Sequence, residues 1–276
     1  MIMNYVISND GTRIFYEKKG TGPAVILVAA AASDHNDTTR LGEFLSEHFT
    51  VYNYDRRGRG SSTDTAPYAV EREIEDIDAL IQEAGGSAYV FGSSSGAVLA
   101  LDAASRLGGS KVSKLFLYEP PFIIDDSRAP VPAEYVQHLN ELMAGNRRSE
   151  AVEYFMTAAL GIPAEYVEFM KADPSWQVME GMAHTLAYDG MIMGSTQSGQ
   201  PLPTDRWNVD VPVMVMTGEN SGAMFHGAAS ALVDLLPQCE HRMLPGQDHS
   251  AVVMAPEVLA PEVSGFLLPS ANRIPR

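Results

Sequence analysis

Ala88-Tyr89-Val90-Phe91-Gly92-Ser93-Ser94-Ser95-Gly96-Ala97-Val98-Leu99 is the stretch on which the reading of this chain turns. Ala88 to Phe91 has the apolar character of a buried strand, and the run from Ser95 to Arg106 is rich in Ala and Leu, as helices are. Between them Gly92-Ser93-Ser94-Ser95-Gly96 fits G-x-S-x-G. That pentapeptide also arises by chance in Gly- and Ser-rich loops, so the strand before it and the helix after it carry the weight. The glycines permit a sharp turn with close backbone approach, which holds the central serine strained and exposed at a helix N-terminus. Ser94 is therefore the candidate nucleophile. The competing reading is an ordinary helix N-cap by Ser93 or Ser94.

Working outward, Tyr5 to Ser8 and Arg13 to Lys18 flank Asn9-Asp10-Gly11 and predict a β-hairpin. Ala24 to Ala29 is apolar without alternation, the pattern of a parallel strand covered on both faces. Thr38 to His48 has helical spacing, and Val51 to Tyr54 reads as a strand entering the loop Asp55 to Ser62. Pro67 to Ala84 reads as a helix with Pro67 in its first turn and Gly85-Gly86 at its end. Beyond the helix Ser95 to Arg106, Val112 to Tyr118 is a further strand. Repeated β-then-α units imply an α/β fold with a parallel sheet and right-handed crossovers.

After Pro120-Pro121 the rhythm stops. Four amphipathic stretches follow: Pro132 to Ala144, Ser149 to Leu160, Ala164 to Lys171 and Ser175 to Leu186. They predict a helical cap over residues 121–205, inserted into a core made of 1–120 and 206–268, with 269–276 as a frayed C-terminal tail. The sheet resumes at Val211 to Thr217, followed by a helix from Ala223 to Leu236, a strand from His241 to Leu244 and a helix from Pro256 to Leu267.

The formal net charge of -16 over 276 residues opposes binding to phosphate backbones and anionic lipid, so neither nucleic acid nor membrane is an expected partner. A single cysteine, Cys239, rules out an intrachain disulfide and stands in no zinc-type cluster. With no signal-peptide pattern at the start, the expected location is cytoplasmic. A small-molecule substrate is the expected partner, and a homo-oligomer is left open.

A serine hydroxyl needs a base, and an imidazole with a pKa of about 6.5 suits that role. Of seven histidines, His249 is best placed, after the last strand and before the final helix. His35, His48 and His241 read as scaffold or surface residues, and His138, His184 and His226 fall on helices. Among these His184, within the cap, is the one candidate for a substrate contact.

At this point the chain resembles the α/β-hydrolase family from about Tyr5 to Leu267. The resemblance rests on the Ala24 to Ala29 strand, the Asp55-x-x-Gly58-x-Gly60-x-Ser62 loop, the serine turn, the cap position and the late His249. It implies an α/β-hydrolase fold: a mostly parallel eight-stranded sheet flanked by helices, with nucleophile, acid and histidine in that chain order. Much of the family has an aspartate after the seventh strand, but the matching residue here is Ser221. Some members carry a glutamate after the sixth strand instead, where this chain has Glu119. Glu219 is the alternative acid, two residues before the usual position, and an arrangement with no acid stays open.

Acyl transfer also needs donors for a developing oxyanion, and Ser95 and Ala31 stand where the family supplies backbone N–H groups. Ala29-Ala30 replaces the frequent His-Gly at the start of that loop, which leaves its geometry less predictable. The loop Asp55 to Ser62 lacks a phosphate-loop pattern, and its arginines read as structural. Met143, Met156, Met170, Met179, Met182, Met191 and Met193, with Trp176, Phe155 and Tyr188, predict a mainly apolar pocket, or else cap packing. The function expected is a serine hydrolase, esterase- or lactonase-like, acting on a small, largely apolar ester, lactone or related carbonyl compound. It requires no metal and no organic cofactor. The alternatives are a cofactor-free lyase or cyclisation enzyme of secondary metabolism, and a non-catalytic small-molecule binder.

Overall fold

A computed structural model describes residues 4–269. An eight-stranded sheet runs in the order β1-β2-β4-β3-β5-β6-β7-β8. β1 (Asn4–Ile7) and β2 (Arg13–Lys19) form the expected hairpin, and β2 pairs antiparallel with β4 (Thr50–Tyr54). From there on, β3 (Ala24–Val28), β5 (Ala88–Ser93), β6 (Val112–Tyr118), β7 (Val213–Gly218) and β8 (Cys239–Leu244) are parallel. This is the mostly parallel eight-stranded sheet that the resemblance implies.

The unalternating strands are explained by cover on both faces. Ile26, Val28, Val90 and Leu117 pack into one apolar cluster under α2 (Val70–Glu83), α3 (Ser95–Leu107) and α9 (Ala223–Leu235). Val25, Leu27, Phe91 and Phe116 face a second cluster with α1 (His35–Leu45) and α11 (Pro256–Leu267). Between β6 and β7 the chain leaves the sheet for α4 (Tyr135–Ala144), α5 (Arg148–Tyr154), α6 (Ala164–Met170), α7 (Ser175–Met182) and α8 (Leu186–Met193). These helices share a third apolar cluster that includes Leu139, Val152 and Trp176.

Several element boundaries differ from the sequence reading. α1 begins at His35 because the Asp34 carboxylate caps Asn36 N. α2 begins at Val70, so Pro67 precedes it rather than standing in its first turn. The stretch Ser149 to Leu160 continues from α5 into a π-helical turn, Phe155–Ala159, and Ser175 to Leu186 breaks at a 3₁₀ turn, Ala183–Thr185. α8 and the short α10 (Ala251–Met254) were not foreseen. Of the tail expected over 269–276, all but Pro269 lies outside the described residues.

Candidate active site

The carboxyl ends of β3, β5, β6, β7 and β8 meet along one edge of the sheet. Ser93 is paired with Tyr118, so the next residues, Ser94 and Glu119, leave neighbouring strands at equivalent positions. Both adopt positive φ, 53° at Ser94 and 49° at Glu119, a conformation that ordinary residues rarely hold. The amides still find strand-type partners: Ser94 N donates to Tyr118 O and Glu119 N to Met216 O. Space at the serine turn exists only because Gly92 and Gly96 lack side chains. A β-carbon on Gly92 would stand 2.4 Å from Gly96 O, and one on Gly96 the same distance from Ala29 O.

Glu119 is fully buried and accepts two hydrogen bonds. Gly218 N donates to Oε1 at 2.6 Å, and His249 Nδ1 lies 2.7 Å from Oε2. A carboxylate there fixes the Nδ1–H tautomer and leaves Nε2 as the acceptor. The ring is also held by Phe225, stacked at 4.7 Å between centroids, and its loop by Tyr118 Oη, which donates to Asp248 O. The structure thus brings Glu119 to His249 and does not bring Glu219, whose Oε2 accepts from the exposed Gly246 N. Ser221 Oγ is buried without a partner among the described residues, and a serine at the usual acid position supplies no charge.

Ser94, Ser95, Ala31 and His249 all line one cavity of about 850 Å³. No hydrogen bond joins Ser94 Oγ to His249 among the described residues, and in ligand-free sites such contacts are often long. Neither Ala31 N nor Ser95 N donates to a loop or turn carbonyl among the described residues, which leaves both amides available to a ligand oxygen. Phe155, Met156, Met179, Met182 and Met193 line the cavity as expected, joined by Met224 and Phe225 from α9.

Other expectations need correction. Trp176 is buried among the inserted helices, donating to Ser149 Oγ and Glu180 Oε1. Tyr188 stacks on Tyr68 at 3.7 Å and donates to Asp64. His184 is not on the cavity wall; it packs on Gly58, where a β-carbon would stand 3.0 Å from Nε2. Met170 and Met191 are exposed.

The sequence reading missed Asp189 altogether. Its Oδ1 accepts from Ser95 Oγ and Arg56 Nη1, both at 2.8 Å, and its Oδ2 from Arg59 Nη2 at 2.7 Å. Arg59 Nη1 reaches on to Ala30 O at 2.6 Å and Arg56 Nη1 to Ala29 O at 3.3 Å, while Arg56 also forks onto Glu73. This network fixes the loop whose His-Gly is missing and ties it to α8. Burial pushes the Asp189 carboxyl up, but the charges of Arg59 and Arg56 outweigh it and hold the group below the usual carboxylate range. One signal was legible: Asp189 is the only charged residue in the apolar helix LAYDGMIM.

Asp34, His35 and Asp55 bring three ligand-type atoms within 4.8 Å of one another. Asp55 is already committed, Oδ1 to His35 N and Nδ1 and Oδ2 to Ser61 N, so the group acts as a loop clamp. No helix among the described residues is long and apolar enough to cross a membrane.

The family model described as "Alpha/beta hydrolase family" matches residues 25–262. An alpha/beta hydrolase from Sphaerobacter thermophilus is 45% identical with a TM-score of 0.87, over 96% of this chain and 100% of that one. The uncharacterized hydrolase YraK of Bacillus subtilis is 30% identical over 158 residues, which span 55% of this chain and only 56% of that protein. A 2-(acetamidomethylene)succinate hydrolase of Mesorhizobium japonicum is 26% identical over 91% of this chain and 90% of its own length.

Proposed function

This chain belongs to the alpha/beta hydrolase family, and within it we propose a serine hydrolase that opens a small ester, lactone or related carbonyl compound through an acyl-enzyme on Ser94. Ser94 Oγ attacks the carbonyl carbon while its proton passes to His249 Nε2. Glu119 stabilises the imidazolium through Nδ1–H, and the amides of Ala31 and Ser95 receive the oxyanion. Collapse of the tetrahedral species expels the alcohol, which takes the proton from His249. Water, deprotonated by the same imidazole, then attacks the acyl group and regenerates Ser94.

The observation that carries this reading is the 2.7 Å bond between His249 Nδ1 and the buried Glu119, on the cavity that Ser94 also lines. A buried carboxylate holding an imidazole in one tautomer is the arrangement a general base needs. The apolar wall supports a largely apolar substrate body. A fluorophosphonate probe is expected to add one label, mapped by mass spectrometry to Ser94, and none to Ser94→Ala. Folded wild-type protein that takes up no label overturns the reading.

A further inference from the structure

Among the described residues, Arg128 is the only lysine or arginine on the wall of the cavity. It lies in the segment between β6 and α4, half-buried, and its Nη1 donates to Ala159 O at 3.0 Å. No other hydrogen bond and no ion pair of this guanidinium is present among the described residues. Burial pulls its pKa below the ordinary value, and no carboxylate raises it again. The fully buried guanidiniums behave differently, since Arg56, Arg57 and Arg59 all rest on carboxylates.

Of the other charged groups on the wall, His249 is held by Glu119, Asp189 by two arginines, and Asp34 caps α1, whereas Asp37 has no cationic partner among the described residues and burial pushes its carboxyl up. Room for the Arg128 head is left by Gly161, at φ +73°, where a β-carbon would stand 3.0 Å from Nη2. A half-desolvated guanidinium with Nε and Nη2 uncommitted is matched by a planar anion brought from outside.

We infer that Arg128 is the subsite for a carboxylate carried by the substrate, which makes the substrate class monoesters and related carbonyl derivatives of dicarboxylic acids. Turnover of such a compound rests on the serine hydrolase reading above, whereas binding of its carboxylate does not.

The test compares kcat/KM for monomethyl adipate with that for methyl hexanoate, an ester of equal acyl length without the charge. The ratio of the two is expected to fall about 10- to 100-fold in Arg128→Gln, mainly through KM, and to be partly kept in Arg128→Lys. A ratio that Arg128→Gln leaves unchanged overturns the inference. If the wild type hydrolyses neither ester, the hydrolase reading fails by itself, and calorimetry with adipate decides the carboxylate site. Adipate binding that is present in the wild type and lost in Arg128→Gln upholds it; a wild type that does not bind adipate overturns it.

Discussion

Two buried carboxylates flank the serine turn, and they are used in opposite ways. Glu119 comes from the end of a core strand and holds a neutral backbone amide and an imidazole. Asp189 comes from the inserted helices and holds two permanent guanidinium charges and the Ser95 hydroxyl. The first partner set contains an imidazole, which can take up a proton and pass it on; the second contains none. The same side-chain chemistry therefore builds a moving part on one side of the cavity and a fixed frame on the other. Charge balance explains the difference: two guanidiniums, Arg56 and Arg59, face Glu73 and Asp189, so the charges of that cluster cancel, although Arg59 Nε is buried without a hydrogen-bond partner among the described residues.

The sharpest way to break this comparison is Glu119→Gln. The amide keeps the bond from Gly218 N but cannot stabilise an imidazolium, so ester hydrolysis is expected to fall about 10³- to 10⁴-fold. Steady-state kinetics and urea unfolding of the same sample check it, and a loss below tenfold removes Glu119 from its role. Asp189→Leu is expected to act the other way round, lowering unfolding free energy by about 3–5 kcal/mol because two buried guanidiniums lose a partner. Urea denaturation measures this, and an unchanged midpoint would dissolve the idea of a frame. Ser95→Ala keeps the backbone N–H and loses only the bond to Asp189, so it is expected to lower stability by about 1 kcal/mol and the rate less than tenfold. Glu219→Gln completes the series with stability within about 0.5 kcal/mol and a rate within about twofold, since its contact is exposed.

The site was legible in uneven parts. Ser94 announced itself because the strand, the two glycines and the helix that shape its turn are adjacent in the chain. His249 followed from its place after the last strand. Glu119 led only through its place after the sixth strand, with Glu219 as the alternative; the choice depends on which carboxylate points inward at the ends of two neighbouring strands. Asp189, Phe225 and Arg128 carried little signal. Their surroundings are assembled from segments far apart in sequence, as the Arg59–Asp189 pair shows. The roles expected of His184, Tyr188 and Trp176 failed for the same reason: membership of the inserted helices does not say which face meets the cavity.

By itself the sequence determined the α/β alternation, the serine turn and the place where the strands give way to helices, because hydrophobic period and glycine placement act over a few neighbouring residues. Only the tertiary structure decided which carboxylate meets His249, that Asp189 closes a charge network with the loop arginines, and that Arg128 faces the cavity without an acid. Those outcomes depend on distances and on the balance of charge in a dry interior, neither of which is written in the order of residues along the chain.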